Sequence, residues 1–452
     1  MDRTIDRRQF LRQAAGAGLA ASLAGIGSNG CQTQRPGLAM PGWVDRPKDR
    51  VRVGFVGIGN MGRGHIENLL RIEGCLITAI CDIIPERTQW ARERIVRSGQ
   101  ADPKVYGQHG ERDFVRLCQQ EDIDLVYTAT PWQWHAPVCL AAMENGKHAA
   151  CEVPIATTLD ECWQLVEAAE RHKRYCVMME NCCYDRIEMA VLNMVRQGLF
   201  GELLHAECGY LHDLRELKLS PTYYQGMWRL QYAIKRNGNP YPTHGIGPVA
   251  WCMDILRGDR FEYLVSVSTR SIGLNLYAKA RYPQWADQAF RLGDVNTSLI
   301  NTAKGKTIVV KHDTHLPRPY SREFLIQGTR GLVRKYPQPL IYVEGEGQED
   351  QWQPLDGYLD RYEHPIWKAL QAKATGAGHG GMDYIEDYRL IRALRMGIPP
   401  DIDVYDSVTW SCIFPLSEQS VGHAGRPMPF PDFTRGMWAK ARPLGVFEHQ
   451  YQ

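Results

Sequence analysis

From residue 51 onward, short runs that are apolar at nearly every position alternate with stretches whose apolar residues recur at helical spacing. Val53-Gly54-Phe55-Val56, the runs at 76–81 and 123–129, His148-Ala149-Ala150-Cys151 and Cys176-Val177-Met178-Met179 are of the first kind. Strands have this pattern when a sheet is parallel and covered on both faces, because neither side of such a strand meets water. Helical segments, such as the one through Leu69-Leu70, separate them. The alternation over 51–180 therefore predicts an α/β domain with a parallel sheet. Past Asn181 it stops. Spaced runs such as Leu264-Val265-Ser266-Val267-Ser268 and Lys306-Thr307-Ile308-Val309-Val310 are flanked by helical patterns at 188–196 and 364–373. They predict an α+β domain over 181–452 with a mostly antiparallel, open sheet, and with the C-terminal segment able to pack back on the first domain.

The first 31 residues follow a different pattern. Arg7-Arg8-Gln9-Phe10-Leu11 precedes a Gly/Ala-rich apolar run at 14–26 that is too short to span a bilayer. In that order the features predict a twin-arginine export signal over 1–31 and a periplasmic protein, with Gly30-Cys31 offering a lipid-attachment site. Pro36, Pro41 and Pro47 mark 32–50 as a tether. The twin-arginine machinery carries folded proteins, so the thirteen cysteines, most of them within apolar runs, are expected to be free and buried. No Cys-x-x-Cys or His-Glu-x-x-His spacing predicts a metal. A net charge of +2 on 452 residues gives no reason to expect nucleic acid.

The first apolar run leads into Gly57-Ile58-Gly59-Asn60-Met61-Gly62, and the second ends in Asp82. Strand, glycine turn, helix and a following acid together make the dinucleotide-binding fingerprint of a Rossmann domain. The first glycine permits the turn, the second lets backbone approach a pyrophosphate and the third lets helix pack on strand. Asp82 accepts ribose hydroxyls and repels a 2′-phosphate, which favours NAD over NADP. Three later strands end in Trp132-Gln133-Trp134-His135, Glu152-Val153-Pro154 and Glu180-Asn181, the carboxyl-end positions that line the ligand crevice of such a sheet.

The order of these segments resembles the Gfo/Idh/MocA oxidoreductases, whose common form has Glu-Lys-Pro where this chain has Glu152-Val153-Pro154. Val153 has no proton to exchange, which disfavours an ordinary dehydrogenase. Further segments resemble glycoside hydrolase family 109, the NAD-dependent N-acetylgalactosaminidase type. They are Thr130-Pro131-Trp132-Gln133-Trp134-His135, Glu180-Asn181-Cys182-Cys183-Tyr184, Leu192-Asn193-Met194-Val195-Arg196, Tyr241-Pro242-Thr243-His244-Gly245, Pro317-Arg318-Pro319-Tyr320 and Gly378-His379-Gly380-Gly381-Met382-Asp383. The resemblance implies that Asn60, Met61 and Gly62 line the pyrophosphate, that Asp82 holds the ribose, and that Trp132, Gln133, Trp134, His135, Glu152, Val153 and Asn181 follow the rest of the cofactor. It implies substrate contacts at Tyr210, Arg229, Tyr241, Pro242, Thr243, His244 and Tyr320.

The activity implied is hydrolysis of terminal, α-linked N-acetylgalactosaminides on glycans or small glycosides, by transient oxidation at C3, elimination across C1–C2, water addition and re-reduction. His244 and Tyr320 are expected to be the proton-transfer pair, an imidazole titrating near neutrality and a phenol able to relay a proton. Arg229 is a hydrogen-bond donor, since a guanidinium does not deprotonate. The alternative is a sugar dehydrogenase of the same superfamily that releases reduced cofactor. A homodimer is also expected, through an open sheet face carrying Ile308 and Val310.

Overall fold

A computed structural model of the chain describes residues 42–448. The export signal, Cys31 and most of the tether lie outside the described residues. Six strands, Val51–Val56 (β1), Cys75–Cys81 (β2), Lys104–Tyr106 (β3), Leu125–Thr128 (β4), His148–Cys151 (β5) and Cys176–Met178 (β6), form one sheet. Its order is β3-β2-β1-β4-β5-β6, and every pair is parallel. Every residue of β4, β5 and β6 is buried, which is why those runs show no polar alternation. Strand order reverses between β1 and β4, so the loops leaving the carboxyl ends there diverge and open a crevice.

A second sheet comprises Leu203–Leu211 (β7), Phe261–Ser268 (β8), Val295–Thr302 (β9), Thr307–Asp313 (β10), Leu325–Gly328 (β11), Gly331–Arg334 (β12), Leu340–Val343 (β13), Gln353–Pro354 (β14) and Met428–Pro429 (β15). The order is β14-β13-β12-β11-β7-β10-β9-β8-β15, antiparallel throughout except for the β7–β10 pair. The predicted fold class, a Rossmann domain followed by an α+β domain with a mostly antiparallel sheet, is the one found.

One detail of that sheet corrects the sequence reading. Ile308 and Val310 are fully buried, on the face covered by the helices Thr243–Cys252 and Ile413–Gly422. The outward row pairs Val265 with Leu299, Leu299 with Val309 and Val309 with Glu207, and Val267 and Leu299 stand exposed on this face. Side chains alternate faces along a strand, so the parity of one residue decides which set faces out, and the apolar run 306–310 leaves that parity open.

The chain then returns to the first sheet. Ser407 and Ser411, on the helix Val404–Ser411, accept hydrogen bonds from the backbone of Met178 and Ile155 at 3.0 and 3.2 Å. The helix Met382–Met396 packs on the helix Asn60–Leu69 that follows the glycine turn. Among the described residues, twelve cysteines are free and all are buried. No helix of the described residues is long and apolar enough to cross a membrane.

Candidate active site

A cavity of about 640 Å³ opens at the carboxyl ends of β1, β2, β4, β5 and β6 and is closed on its other side by β7 and the helical segments that follow it. That volume is in the range of small-molecule and cofactor pockets. One end is built for a dinucleotide. Gly57 turns with φ +87°, and a Cβ there would strike the backbone of Ala129 at 2.8 Å. A Cβ on Gly62 would lie 2.1 Å from the carbonyl of Gly57, so Gly62 serves helix-on-turn packing and is not part of the cavity wall. At Gly59 a Cβ would meet nothing within 4 Å, and this residue caps the helix Asn60–Leu69 without a side-chain hydrogen bond. Open space over an uncapped helix N-terminus fits a pyrophosphate, whose charge the free N–H groups would meet.

Asp82, buried just past β2, lies against this turn. One carboxylate oxygen accepts from the Ile58 N–H at 2.7 Å and the other from Ile84 at 2.9 Å, and Arg87 stands 3.7 Å away. Each oxygen keeps a second lone pair for a ribose hydroxyl. Asp82 therefore braces the glycine turn as well as facing the cavity.

Trp132, Gln133, Trp134 and His135 all line the wall after β4. His135 offers the cavity little polarity, because Nδ1 and Nε2 each sit 2.7 Å from a backbone carbonyl, of Pro154 and Thr130. Burial pushes its pKa down, and its ring clamps the loops after β4 and β5 together. Glu152 and Val153 follow β5. One Glu152 oxygen lies 2.9 Å from His65 Nε2 and the other accepts from the Val153 N–H at 3.0 Å. His65 is buried and contacts Asp387 through Nδ1 at 2.9 Å. Burial disfavours its charge, but Asp387 and Glu152 hold its pKa well above the ordinary imidazole value.

The other end of the cavity is aromatic and basic. Tyr210 comes from β7, Arg229 from the helix Trp228–Lys235, Tyr241 from the segment just before the helix Thr243–Cys252, and His244 from the first turn of that helix. Arg229 is caged by rings, 5.0 Å from the centroid of Trp132, 4.6 Å from Tyr241 and 5.8 Å from Tyr210, and it donates to the Tyr224 hydroxyl at 2.9 Å. Packing against π faces keeps a partly desolvated guanidinium charged and fixed. Burial raises the Tyr210 pKa to about 12, and its hydroxyl lies 3.1 Å from His212 Nδ1. Burial, then Arg229, lower the His212 pKa.

His244 Nδ1 is 2.7 Å from Glu180 Oε1, and Glu180 is completely buried. This leaves Nε2 as the free ring nitrogen. In the sequence, Glu180 is legible only as a polar residue ending a strand. On the same side of the cavity, Asn181 donates to Asp383 Oδ1 at 2.7 Å, and Asp383 Oδ2 lies 2.8 Å from Nδ1 of His379. His379 lines the cavity with a half-exposed side chain, and its hydrogen bond with Asp383 raises its pKa. It belongs to the Gly378-His379-Gly380-Gly381 segment, where glycines on both sides are the signal available in the sequence.

Three other sequence-predicted residues are not part of the cavity wall. Pro242 and Thr243 begin a helix, and Thr243 is buried. Tyr320 is 39% exposed, and its hydroxyl accepts from Arg322 at 3.0 Å. His244 and Tyr320 both pack on the ring of Tyr210, with centroids at 5.6 and 6.1 Å. The expected pair is thus joined through Tyr210.

Residues 184–440 match the family model described as Glycosyl hydrolase 109, C-terminal domain, and residues 51–180 match that of the oxidoreductase family with an NAD-binding Rossmann fold. A glycosyl hydrolase family 109 protein of Solibacter usitatus is 45% identical over 98% of this chain and 100% of its own length. An alpha-N-acetylgalactosaminidase of Shewanella oneidensis is 44% identical over 98% of this chain and 99% of its own. Among solved structures, a levoglucosan dehydrogenase in complex with NADH and levoglucosan superposes with a TM-score of 0.63 at 20% identity, over 85% of this chain and all of that one. An inositol dehydrogenase homolog from Azotobacter vinelandii, complexed with NAD+, gives 0.61 at 21%, over 86% and 99%. These two share the fold.

Proposed function

This chain belongs to glycosyl hydrolase family 109, and from that premise we propose that it hydrolyses terminal α-linked N-acetylgalactosaminides with NAD as a recycled cofactor. The observation that carries the reading is the continuity of one cavity from the glycine turn and Asp82 to Arg229, Tyr210 and His244. The glycine turn, Asp82, Trp132 to Trp134, Glu152 and Asn181 would hold the dinucleotide. Bound there, the nicotinamide supplies hydride acceptance and return at C3 of the sugar.

The chain's own part is positioning and proton transfer. Arg229, fixed by its aromatic cage, donates hydrogen bonds to sugar oxygens. His244 exchanges the protons of the C3 hydroxyl and of C2 through Nε2, because Glu180 holds Nδ1; Tyr320, outside the cavity wall with its hydroxyl turned to Arg322, acts on the site through the ring of Tyr210. A ketone at C3 makes the C2 proton removable, and its departure expels the aglycone from C1. His379, half-exposed at the cavity and with its pKa raised by the hydrogen bond to Asp383, is suited to protonate the leaving oxygen. Water then adds its hydroxyl to C1 and a proton to C2, and the C3 hydroxyl regains its proton as hydride returns. Val153, with no ammonium to offer, supports recycling over an ordinary dehydrogenase.

An enzyme that returns its hydride needs no outside supply of NAD, which agrees with export of the loaded, folded protein by the twin-arginine route. The test is a panel of α- and β-linked aryl hexosaminides with purified protein, following the aryl group and the reduced-nicotinamide band together. Aryl release without accumulating band, insensitive to chelator, is expected. Band growing in step with product would identify a dehydrogenase instead.

A further inference from the structure

Glu180, Cys182 and His244 bring a carboxylate oxygen, a thiol sulfur and an imidazole nitrogen within 4.8 Å of one another. All the free cysteines among the described residues are buried, but this one shares its neighbourhood with two further donors of different kinds. Oxygen, nitrogen and sulfur together form a set suited to a borderline cation, and Mg²⁺ or Ca²⁺, which prefer shells of oxygen, would find too few such ligands. A second observation points to unused capacity. Glu180 Oε2 is buried without a hydrogen-bond partner, although its sister oxygen bonds both His244 and the Cys182 N–H. Such an orphaned oxygen has lost its water and gained nothing in return. The route in is the cavity, whose wall includes His244.

We propose that Glu180, Cys182 and His244 form an inhibitory site for a thiophilic divalent cation such as Zn²⁺. Three protein ligands leave a fourth, tetrahedral position for water. Binding displaces the proton between His244 Nδ1 and Glu180 and the proton of the Cys182 thiol, which burial keeps protonated in the absence of an ion. The thiol proton passes to solvent and the ring proton shifts to Nε2, so the imidazole stays neutral and the double charge is balanced by the carboxylate and the thiolate. The ion takes the ring nitrogen that Glu180 otherwise orients. That turnover stops rests on the role proposed for His244; that the ion binds does not.

The experiment titrates Zn²⁺ and, separately, Co²⁺ onto the full-length protein as purified, and onto Cys182→Ser. Serine can keep the donation that the thiol makes to Asn181 Oδ1 at 3.4 Å. Zinc should inhibit aryl-glycoside hydrolysis by the parent and a chelator should restore it, while cobalt should produce a thiolate charge-transfer band. Cys182→Ser should retain metal-free turnover, show no band and require roughly tenfold more zinc or more, the scale on which coordination changes alter affinity. The band reads binding whatever the substrate proves to be. Equal zinc sensitivity in both proteins, or a parent that gives no thiolate band with cobalt, would overturn the proposal.

Discussion

The Nδ1 atom of His244 and Oε1 of the buried Glu180 lie 2.7 Å apart, and this contact decides which nitrogen of the ring faces the cavity. A carboxylate behind an imidazole fixes its tautomer and stabilises the proton it gains. His244→Ala should slow turnover by roughly a hundredfold or more, the usual scale for losing a general acid–base group. Glu180→Gln should slow it by about tenfold or more on the same scale. Because the two act as a unit, the double variant should be little worse than His244→Ala alone. Steady-state rates of the three proteins, with bound NAD quantified in each, decide this; multiplicative losses would separate the two roles.

Asp82 has two tasks in the structure, and its replacement should reveal both. Asp82→Ala should weaken NAD binding because the ribose hydroxyls lose their acceptor. It also strands the N–H groups of Ile58 and Ile84, so the glycine turn should loosen. Equilibrium NAD titration of stripped protein and proteolysis at residues 57–62 measure the two effects. Unchanged NAD affinity would remove Asp82 from the dinucleotide site.

His379 gives the site a pH dependence with a definite sign. Its pKa is raised by the hydrogen bond with Asp383, so the protonated form persists above the ordinary imidazole range and is lost as pH rises through the raised value. A leaving-group acid must be protonated, and the alkaline limb of kcat should therefore follow this group. Asp383→Asn removes the carboxylate charge and should move that limb to lower pH. The pairing also contributes stability, fully present below the unfolded pKa and lost as pH rises through the folded one. An alkaline limb identical in both proteins would free His379 from the role.

Much of this arrangement is legible in the sequence, and the gaps have physical causes. The glycine turn and Asp82 are local, each placed by a strand end within its own segment, so spacing alone locates them. The Glu180–His244 contact joins residues 64 positions apart, and His65 meets Asp387 across 322; no periodicity connects such pairs. The segment around Tyr320 matches a family pattern that implies a substrate contact, yet its hydroxyl is turned to Arg322 and its ring stands partly in solvent. Whether a tyrosine works directly or through a neighbouring ring depends on packing that the motif does not encode.

The outward row of the second sheet predicts association of two copies. Val265, Leu299 and Val309 form an apolar band across three strands, with Val267 beside it. Leu299→Glu should shift light-scattering mass from dimer toward monomer, since a carboxylate at a covered position must lose its water. Secondary structure and bound NAD should be unaffected. A parent that is monomeric at micromolar concentration would contradict the prediction.

In the proposed mechanism the glycosidic bond breaks by elimination from a C3 ketone, and the hydrogen at C2 of the sugar records it. Oxocarbenium chemistry leaves that C–H bond intact, whereas elimination breaks it in every turnover. Hydrolysis of an aryl α-N-acetylgalactosaminide in deuterated water, with the released sugar analysed by NMR, is the direct measurement. Deuterium at C2 and a primary isotope effect with C2-deuterated substrate are expected. A product with hydrogen fully retained at C2, and no such isotope effect, would contradict the mechanism even if every molecule of the protein carried NAD.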